Sequence, residues 1–348
     1  MTEKNIGHII PYAHTDYAWT NYRAWHIERY VLIMSEVLDQ MKQNSQFTWM
    51  TDNYQHFMEP LMTYLPERMD ELKKHIREGR FEITSLIYSL LRPTTAGEET
   101  FINNIILGRE IFQQYFPGIE TDIYHNVDVS IGHSQLPQLM KLGGYKYLRA
   151  FRPQGVMDYK KYPSEFLWEG MDGTKVLCSR GIYAGFSNAD ENSIKDEINQ
   201  VLDKSKIDHV WIPSGMDDTR PLRDYKDNHF DYFSFMEKWN NEEKTTLKFS
   251  TAKAYFNDIK DKNYDIFKGI IDPCDVGYNL PSKGQNGLWR LRVQLDTLII
   301  KAETLCAMGA LAGLDYPEEK LKKCWRGLLS ISGHGMEFVM DRDFESIY

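Results

Sequence analysis

The stretch Ile6-Gly-His-Ile-Ile-Pro-Tyr-Ala-His14-Thr-Asp16 joins an apolar β-strand to two side chains that bind metals well. Alternate side chains of a strand share a face, so His14 and Asp16 are expected to point towards one place. An imidazole and a carboxylate together suit a zinc ion. A simpler interpretation of the same spacing is that His14 makes a local hydrogen bond and Asp16 caps the following helix.

Acidic residues follow several other apolar strands in the sequence. Asp52 lies at the end of a predicted strand over 47–53, Asp128 ends a strand over 121–128, and Asp217 and Asp218 follow a strand that begins at residue 209. Helical segments alternate with these strands, which predicts parallel strands joined by helical crossovers, hence an α/β sheet or barrel. In such folds the chemistry gathers at the carboxyl ends of the strands. We therefore expect these acids and the first pair to share one edge.

Each candidate also has a plain structural interpretation. Asp128 precedes a serine-capped helix start and could be a capping acid, but beside the first pair a metal-binding or nucleophilic role is favoured. Asp217 and Asp218 form either a turn or a site where one protonated carboxyl donates a proton. His334 lies between two glycines, which suits either close backbone approach to a ligand or a helix C-terminus followed by a surface histidine. Trp19 is either a floor for a ring-shaped ligand or part of the core.

Composition narrows the class of protein. The chain has 348 residues, 42% apolar residues and 13% aromatic residues, which indicates a folded protein with a sizeable core. Its formal net charge of -9 disfavours nucleic acid or an anionic membrane as the main partner. The four cysteines are far apart, and neither a signal peptide nor an apolar run of membrane-spanning length is present. These observations predict a cytoplasmic protein.

The character of the chain changes near its end. Apolar residues at helical spacing predict a long amphipathic helix over 288–314 and a second helix that runs to about 329. Earlier, a charge-rich stretch over 57–78 is predicted to form one helix that stops at Gly79. The expected organisation is a β/α domain over residues 1–275 and a helical domain over 276–348. The latter is expected to be truncated, because the sequence stops at Tyr348.

Taken together, the fragments resemble glycoside hydrolase family 38, the α-mannosidases. The fragments that carry the resemblance occur in the order seen in that family: His14-Thr-Asp16-Tyr-Ala-Trp19, Asp128 with Gly132-His133-Ser134, Arg152 after Gly144-Tyr145, Asp217-Asp218, Gly277-Tyr278, and Leu-Leu-x-x-x-x-His334. The resemblance implies a seven-stranded β/α barrel followed by a three-helix bundle, of which this chain would hold a part. It also implies an α-mannoside or related carbohydrate as the substrate.

Carried over residue by residue, the resemblance implies a complete catalytic site. Zinc would be bound by His14, Asp16, Asp128 and His334. Asp128 would also be the nucleophile, and Asp218 the general acid and base. Substrate contacts would come from the remaining positions, which are Trp19, Arg152, Asp217 and Tyr278.

Two carboxyl groups in these roles imply a retaining reaction through a covalent glycosyl-aspartate, with the carboxyls about 5–5.5 Å apart. Two other functions remain open from the residues: a metal-dependent carbohydrate deacetylase on a similar barrel, and a degenerate relative that binds carbohydrate without cleaving it. A homo-oligomer is compatible with all three.

Overall fold

The computed structural model describes residues 5–17, 21–94, 96–182, 185–271 and 285–334, with the backbone alone described for 285–289. It confirms the α/β class, because strands and helices alternate along most of the chain. The strands are β1 (Ile6–Pro11), β2 (Trp49–Asn53), β3 (Phe81–Ile87), β4 (Ile123–Asn126), β5 (Tyr147–Ala150), β6 (Glu165–Glu169), β7 (Lys175–Arg180), β8 (His209–Ser214), β9 (Thr246–Phe249) and β10 (Ile266–Lys268).

Helices connect most of these strands and follow the last. They are α1 (Arg23–Gln43), α2 (Glu59–Tyr64), α3 (Met69–Arg77), α4 (Glu98–Tyr115), α5 (Leu136–Leu142), α6 (Gln154–Tyr159), α7 (Glu191–Lys204), α8 (Tyr232–Glu242), α9 (Ala252–Ile259), α10 (Gln285–Leu311) and α11 (Glu318–Ser332). No helix among the described residues has both the length and the apolar character needed to cross a membrane.

The strands form three small sheets, so the expected closed seven-stranded barrel is not observed in the described part of the chain. Their orders are β8-β1-β9, β10-β6-β7-β5-β4 and β2-β3. All neighbouring strands run parallel except β6 and β7, which form an antiparallel hairpin. A single parallel bridge between Tyr12 and Met50 links the first sheet to β2.

The break between β3 and β4 has a local cause. Ser85 and Leu86 of β3 have positive φ angles of 61° and 48°, which turn their backbone groups out of the strand ladder. The Ser85 hydroxyl replaces the missing pairing and accepts a hydrogen bond of 2.8 Å from the backbone N–H of His125 in β4. β3 and β4 therefore lie next to each other, but no continuous ladder of backbone hydrogen bonds joins their two sheets.

The alternation of strand side chains divides the core into two layers. Ile10 and Tyr12 belong to a cluster that includes Trp211 of β8, whereas Ile9 belongs to a second cluster packed against α1 and α8. Helix α9 enters the first cluster, where Tyr255 packs edge-on against Trp211 with ring centroids 5.3 Å apart. The strands thus have an apolar support on both faces, as expected for parallel strands.

The structure corrects the helix expected over 57–78. A π-helical turn over Tyr54–Met58, α2, a 3-10 turn over Pro66–Arg68 and α3 replace it. Pro66 lacks a backbone N–H and its ring clashes with the preceding turn, so a continuous helix cannot pass through it. Strand β6 was not predicted, although the turn at Gly173 (φ 85°) between β6 and β7 was recognised.

The two predicted tail helices are present as α10 and α11. The expected domain boundary at 275/276 lies outside the described residues, and the two-domain organisation stays a prediction. Many apolar side chains of α10 are exposed, and no described element covers them: Leu291, Val293, Leu298, Leu305 and Met308. Trp325 of α11 is buried and donates a hydrogen bond of 2.7 Å from Nε1 to Glu303 of α10, which joins the two helices.

Candidate active site

The backbone after β1 runs beside the backbone after β8. His14 forms an isolated parallel bridge with Asp217, and its carbonyl accepts a hydrogen bond of 3.0 Å from the N–H of Asp218. Gly215 permits this approach, because a Cβ there would lie only 2.0 Å from the carbonyl oxygen of Tyr12. The sequence-predicted first pair and the acid pair are therefore adjacent.

Four side chains expected to bind zinc come together at this edge. His14 Nε2 lies 3.5 Å from Asp16 Oδ1 and 3.8 Å from Asp128 Oδ2. His334 Nε2 lies 3.3 Å from Asp16 Oδ1 and 2.8 Å from Asp128 Oδ2. Nitrogen and oxygen ligands placed tetrahedrally around one zinc ion are about 3.4 Å apart. The spacing and the mixed N/O donor set therefore fit zinc.

The helical tail supplies His334 through a series of contacts with the segment after β3. Gly333 pairs with Leu91 in an isolated bridge, and the backbone N–H of His334 donates to the carbonyl of Leu90. The hydroxyl of Ser89 donates to the carbonyl of Leu329 in α11 at 3.1 Å. Because these contacts fix the end of α11, the imidazole reaches the acids at the strand ends.

The electrostatic environment of the four side chains favours cations. Burial opposes a positive charge on His14, but Asp16 and other nearby carboxylates outweigh it and raise the pKa of His14 to about 10. The pKa of His334 is raised in the same way, against the effect of burial. Burial opposes ionisation of Asp128, but His334 and His14 outweigh it and lower the pKa of that carboxyl to about 2. A divalent cation would take the place of the two ring protons.

Asp128 is held between the histidines and an arginine. Its φ of 52° is left-handed, a conformation that aspartate tolerates better than most residues. Arg152, which follows β5, donates from Nε to Asp128 Oδ1 at 2.5 Å, while Asp128 Oδ2 faces His334. Arg152, which was expected to contact substrate, therefore lies directly beside Asp128.

Asp218 occupies a turn that α1 supports. Its φ is 54°, and its carbonyl accepts a hydrogen bond of 2.8 Å from Arg29 Nε. The Arg29 guanidinium also forms a double hydrogen bond with Asp227, at 2.7 and 3.0 Å. Asp218 Oδ1 lies 3.5 Å from Nδ1 of the buried His26.

Sequence reasoning missed the contribution of α1. Tyr30 was recognised only as part of an apolar helix face, yet its hydroxyl donates a hydrogen bond of 2.6 Å to the carbonyl of Asp16. His26 Nδ1 lies 3.1 Å from the same hydroxyl. A signal was present, because His26, Arg29 and Tyr30 share one helix face at i, i+3 and i+4 spacing.

Two further buried histidines support the site, one from the π-helical turn that follows β2 and one from β4. His56 Nδ1 lies 2.9 Å from the carbonyl of Thr15, between the two ligands of the first pair. His125 Nδ1 lies 3.1 Å from Asp52 Oδ2, so Asp52 is engaged by an imidazole rather than placed among the four converging side chains. Trp19 and Tyr278, both expected to contact substrate, lie outside the described residues.

Comparison with known proteins relates this arrangement to one family. The family model described as the N-terminal domain of glycosyl hydrolases family 38 matches residues 5–274. A putative mannosylglycerate hydrolase of Halalkalibacterium halodurans is 27% identical over 186 residues, which are 50% of this chain and 20% of that protein. Alpha-mannosidase G of Dictyostelium discoideum is 24% identical over 164 residues, which are 46% of this chain and 13% of that protein. The matched part spans at most about a fifth of either relative.

Solved structures show the same fold. An alpha-mannosidase from Enterococcus faecalis V583 superposes with a TM-score of 0.81 at 20% identity, covering 99% of this chain and 40% of that chain. A glycosyl hydrolase family 38 protein from Enterococcus faecalis gives a TM-score of 0.72 at 18% identity, covering 99% of this chain and 38% of that chain. At these identities the likeness is one of fold.

Proposed function

This chain belongs to glycosyl hydrolase family 38, and on that premise we propose that it is a zinc-dependent retaining glycosidase that hydrolyses α-mannosidic bonds. The observation that carries the proposal is the convergence of His14, Asp16, Asp128 and His334 at distances that suit zinc ligands. The names of the relatives, two of which are alpha-mannosidases, support mannose as the sugar. Zinc bound by these four residues would polarise and orient the hydroxyl groups of the sugar.

Asp128 is proposed as the nucleophile. Its low pKa keeps the carboxyl ionised, as attack on the anomeric carbon requires. Arg152 holds one carboxylate oxygen, which limits rotation of the side chain before attack. A bond then forms between an Asp128 oxygen and the anomeric carbon as the glycosidic C–O bond breaks, and the sugar becomes covalently attached with inversion.

Asp218 is proposed as the general acid and base. In the first step its carboxyl proton passes to the departing glycosidic oxygen. In the second step its carboxylate accepts a proton from water, the water oxygen attacks the anomeric carbon, and Asp128 is released. Two inversions give net retention. The contacts from Arg29 and His26 would position Asp218 for both transfers.

The remaining site residues stay proposals of the same kind. Arg152 and Asp217 would contact the sugar from the strand ends, and Trp19 and Tyr278 would complete the site. The cytoplasmic location and the homo-oligomer stay predictions.

The test is release of free mannose from an α-mannoside by the wild type and by Asp128→Ala. We expect the variant to lose activity by several orders of magnitude, while a control at the exposed Asp70, Asp70→Ala, retains it. Full activity of Asp128→Ala would refute the mechanism. Binding of mannosides without turnover by the wild type would favour the non-catalytic alternative, and release of acetate from an acetylated sugar would favour the deacetylase.

The proposed zinc site is tested separately, by comparing the zinc content of the wild type with that of His14→Ala. Loss of zinc in the variant is expected, and an unchanged zinc content would remove His14 from the ligand set. NMR of the first-formed anomer then tests retention.

A further inference from the structure

A second cluster of metal-binding side chains lies away from the candidate active site. His8 belongs to β1, His209 begins β8, and Asp258 lies near the end of α9. His8 Nε2 is 3.0 Å from His209 Nδ1, and Asp258 Oδ2 is 3.5 Å from each of these two nitrogens. All three atoms are close enough to one another to bind the same metal ion.

The distances agree with those around one zinc ion. Zinc–nitrogen and zinc–oxygen bonds of about 2.0–2.2 Å at tetrahedral angles place the ligand atoms about 3.4 Å apart. The active-site cluster shows the same range, 2.8–3.8 Å. Without a metal ion, the two ring nitrogens at 3.0 Å share one hydrogen bond, which the N–H of His209 donates to His8. Here Asp258 is too far from both rings for a strong hydrogen bond.

The surroundings orient the ligands and leave them accessible. His8 is fully buried, and its other ring nitrogen, Nδ1, lies 2.8 Å from the hydroxyl of Ser250. A hydrogen bond from Nδ1–H to that hydroxyl leaves the Nε2 lone pair directed at the cluster, as in the outer shell of known zinc sites. The side chain of Asp258 is 37% exposed, so an ion can reach the triad from solvent, which would also supply a water molecule as the fourth ligand.

One competing cation is present. Lys248 Nζ lies 3.7 Å from Asp258 Oδ2, and its side chain is 45% exposed. A flexible, half-exposed ammonium is displaced readily by a divalent ion, because an exposed ion pair of this kind contributes little.

We propose that His8, His209 and Asp258 form a second divalent-metal site, suited to zinc and distinct from the catalytic one. Two imidazoles and one carboxylate with an open fourth position match the ligand chemistry of zinc. The ion ties β1 and β8, which carry the candidate catalytic residues at their other ends, to α9. Its role is therefore structural, and its loss lowers stability without removing a catalytic group.

The test is zinc content of the protein without an affinity tag, after dialysis against zinc-free buffer, in four forms. These are the wild type, His14→Ala, His209→Ala and the double variant. We expect two equivalents, one, one and none, respectively. Asp258→Asn, which preserves shape, should also lose one equivalent, and His229→Ala at an exposed histidine should lose none.

The outcomes separate this site from the proposed catalytic zinc. One equivalent that persists in His14→Ala and disappears in the double variant supports the second site, even if no zinc binds at the active site. Added zinc should also raise the melting temperature of His209→Ala less than that of the wild type, because only the active-site ion can stabilise the variant. Equal zinc content in His209→Ala and the wild type, with both folded by circular dichroism, would overturn the proposal.

Discussion

Removal of the Tyr30 hydroxyl is expected to weaken both the fold and the zinc site. The side chain is fully buried in α1, and its hydroxyl donates to the carbonyl of Asp16 at 2.6 Å. Because a hydroxyl has one proton, Nδ1 of His26, 3.1 Å away, must be the donor in the second contact. Tyr30→Phe therefore removes the donor to the buried carbonyl of Asp16, while His26 Nδ1 keeps the Asp218 carboxylate 3.5 Å away. The ring that fills the space stays.

The magnitude follows mainly from the carbonyl of Asp16. A buried polar group that loses its partner costs about 1–3 kcal/mol. We expect the free energy of unfolding to fall by about 2 kcal/mol. Because Asp16 is a proposed zinc ligand, loss of a hydrogen bond to its backbone carbonyl is also expected to shift its carboxylate and weaken zinc binding.

The assay compares Tyr30→Phe with Tyr124→Phe. Tyr124 is an equally buried tyrosine in β4, and its hydroxyl has no hydrogen-bond partner among the described residues. Removal of that hydroxyl should leave stability unchanged or increase it, because a buried polar group without a partner is unfavourable. Urea unfolding gives the free energies, and competition with a chelator gives the zinc affinities.

A specific result would refute this reasoning. If Tyr30→Phe and Tyr124→Phe change the free energy of unfolding by the same amount, the hydrogen bonds of the Tyr30 hydroxyl do not stabilise the fold. If Tyr30→Phe binds zinc with unchanged affinity, α1 does not support the metal site. Stability loss with unchanged zinc affinity would keep Tyr30 as a structural residue only.

Three further predictions concern the proposed general acid Asp218, the buried carboxyl group of Glu82 and Trp325 of α11. Asp218→Asn should lower turnover of alkyl α-mannosides by about 10²–10⁴-fold. Turnover of nitrophenyl α-mannoside should fall much less, because that leaving group departs without a proton. Equal losses with both substrates would contradict the role of Asp218 as general acid. Burial raises the pKa of Glu82 to about 7, above its unfolded value, so the wild type loses stability as pH rises from about 4.3 to 7. Glu82→Gln should remove this loss. Between pH 5 and 8 the free energy of unfolding of the variant should therefore rise by about 3 kcal/mol relative to that of the wild type. Parallel pH profiles of the two proteins would contradict this prediction. Trp325→Ala should cost about 3–5 kcal/mol and weaken zinc binding through His334, and an unchanged melting temperature would contradict this.

The sequence was most informative where a local pattern carries the structure. Alternating strands and helices gave the α/β class, and apolar residues at helical spacing gave α10 and α11. The positions of His14, Asp16, Asp128 and Asp218 after strands were predictable, because parallel strands present their carboxyl ends at one edge. Even β6 could have been found from its partner β7 and the turn at Gly173.

Other features depend on contacts that no local pattern contains. The positive φ angles of Ser85 and Leu86 interrupt the pairing of β3 with β4, yet neither residue is of a type that favours a positive φ. His8, His209 and Asp258 belong to three separate elements, and β8 and α9 meet β1 only after the chain has folded. The support that Tyr30 gives to Asp16 likewise requires α1 to pack against the end of β1.

The sequence by itself determined most of the strands and helices and the chemical type of each candidate ligand, because backbone periodicity and side-chain chemistry are local properties. Only the tertiary structure decided which of these side chains share a site. His334 reaches Asp16 and Asp128 because α11 is anchored beside the end of β3, and that anchoring depends on backbone contacts between segments distant in the chain. Distances of a few ångströms between such segments are set by packing of the whole core, so no single stretch of sequence specifies them.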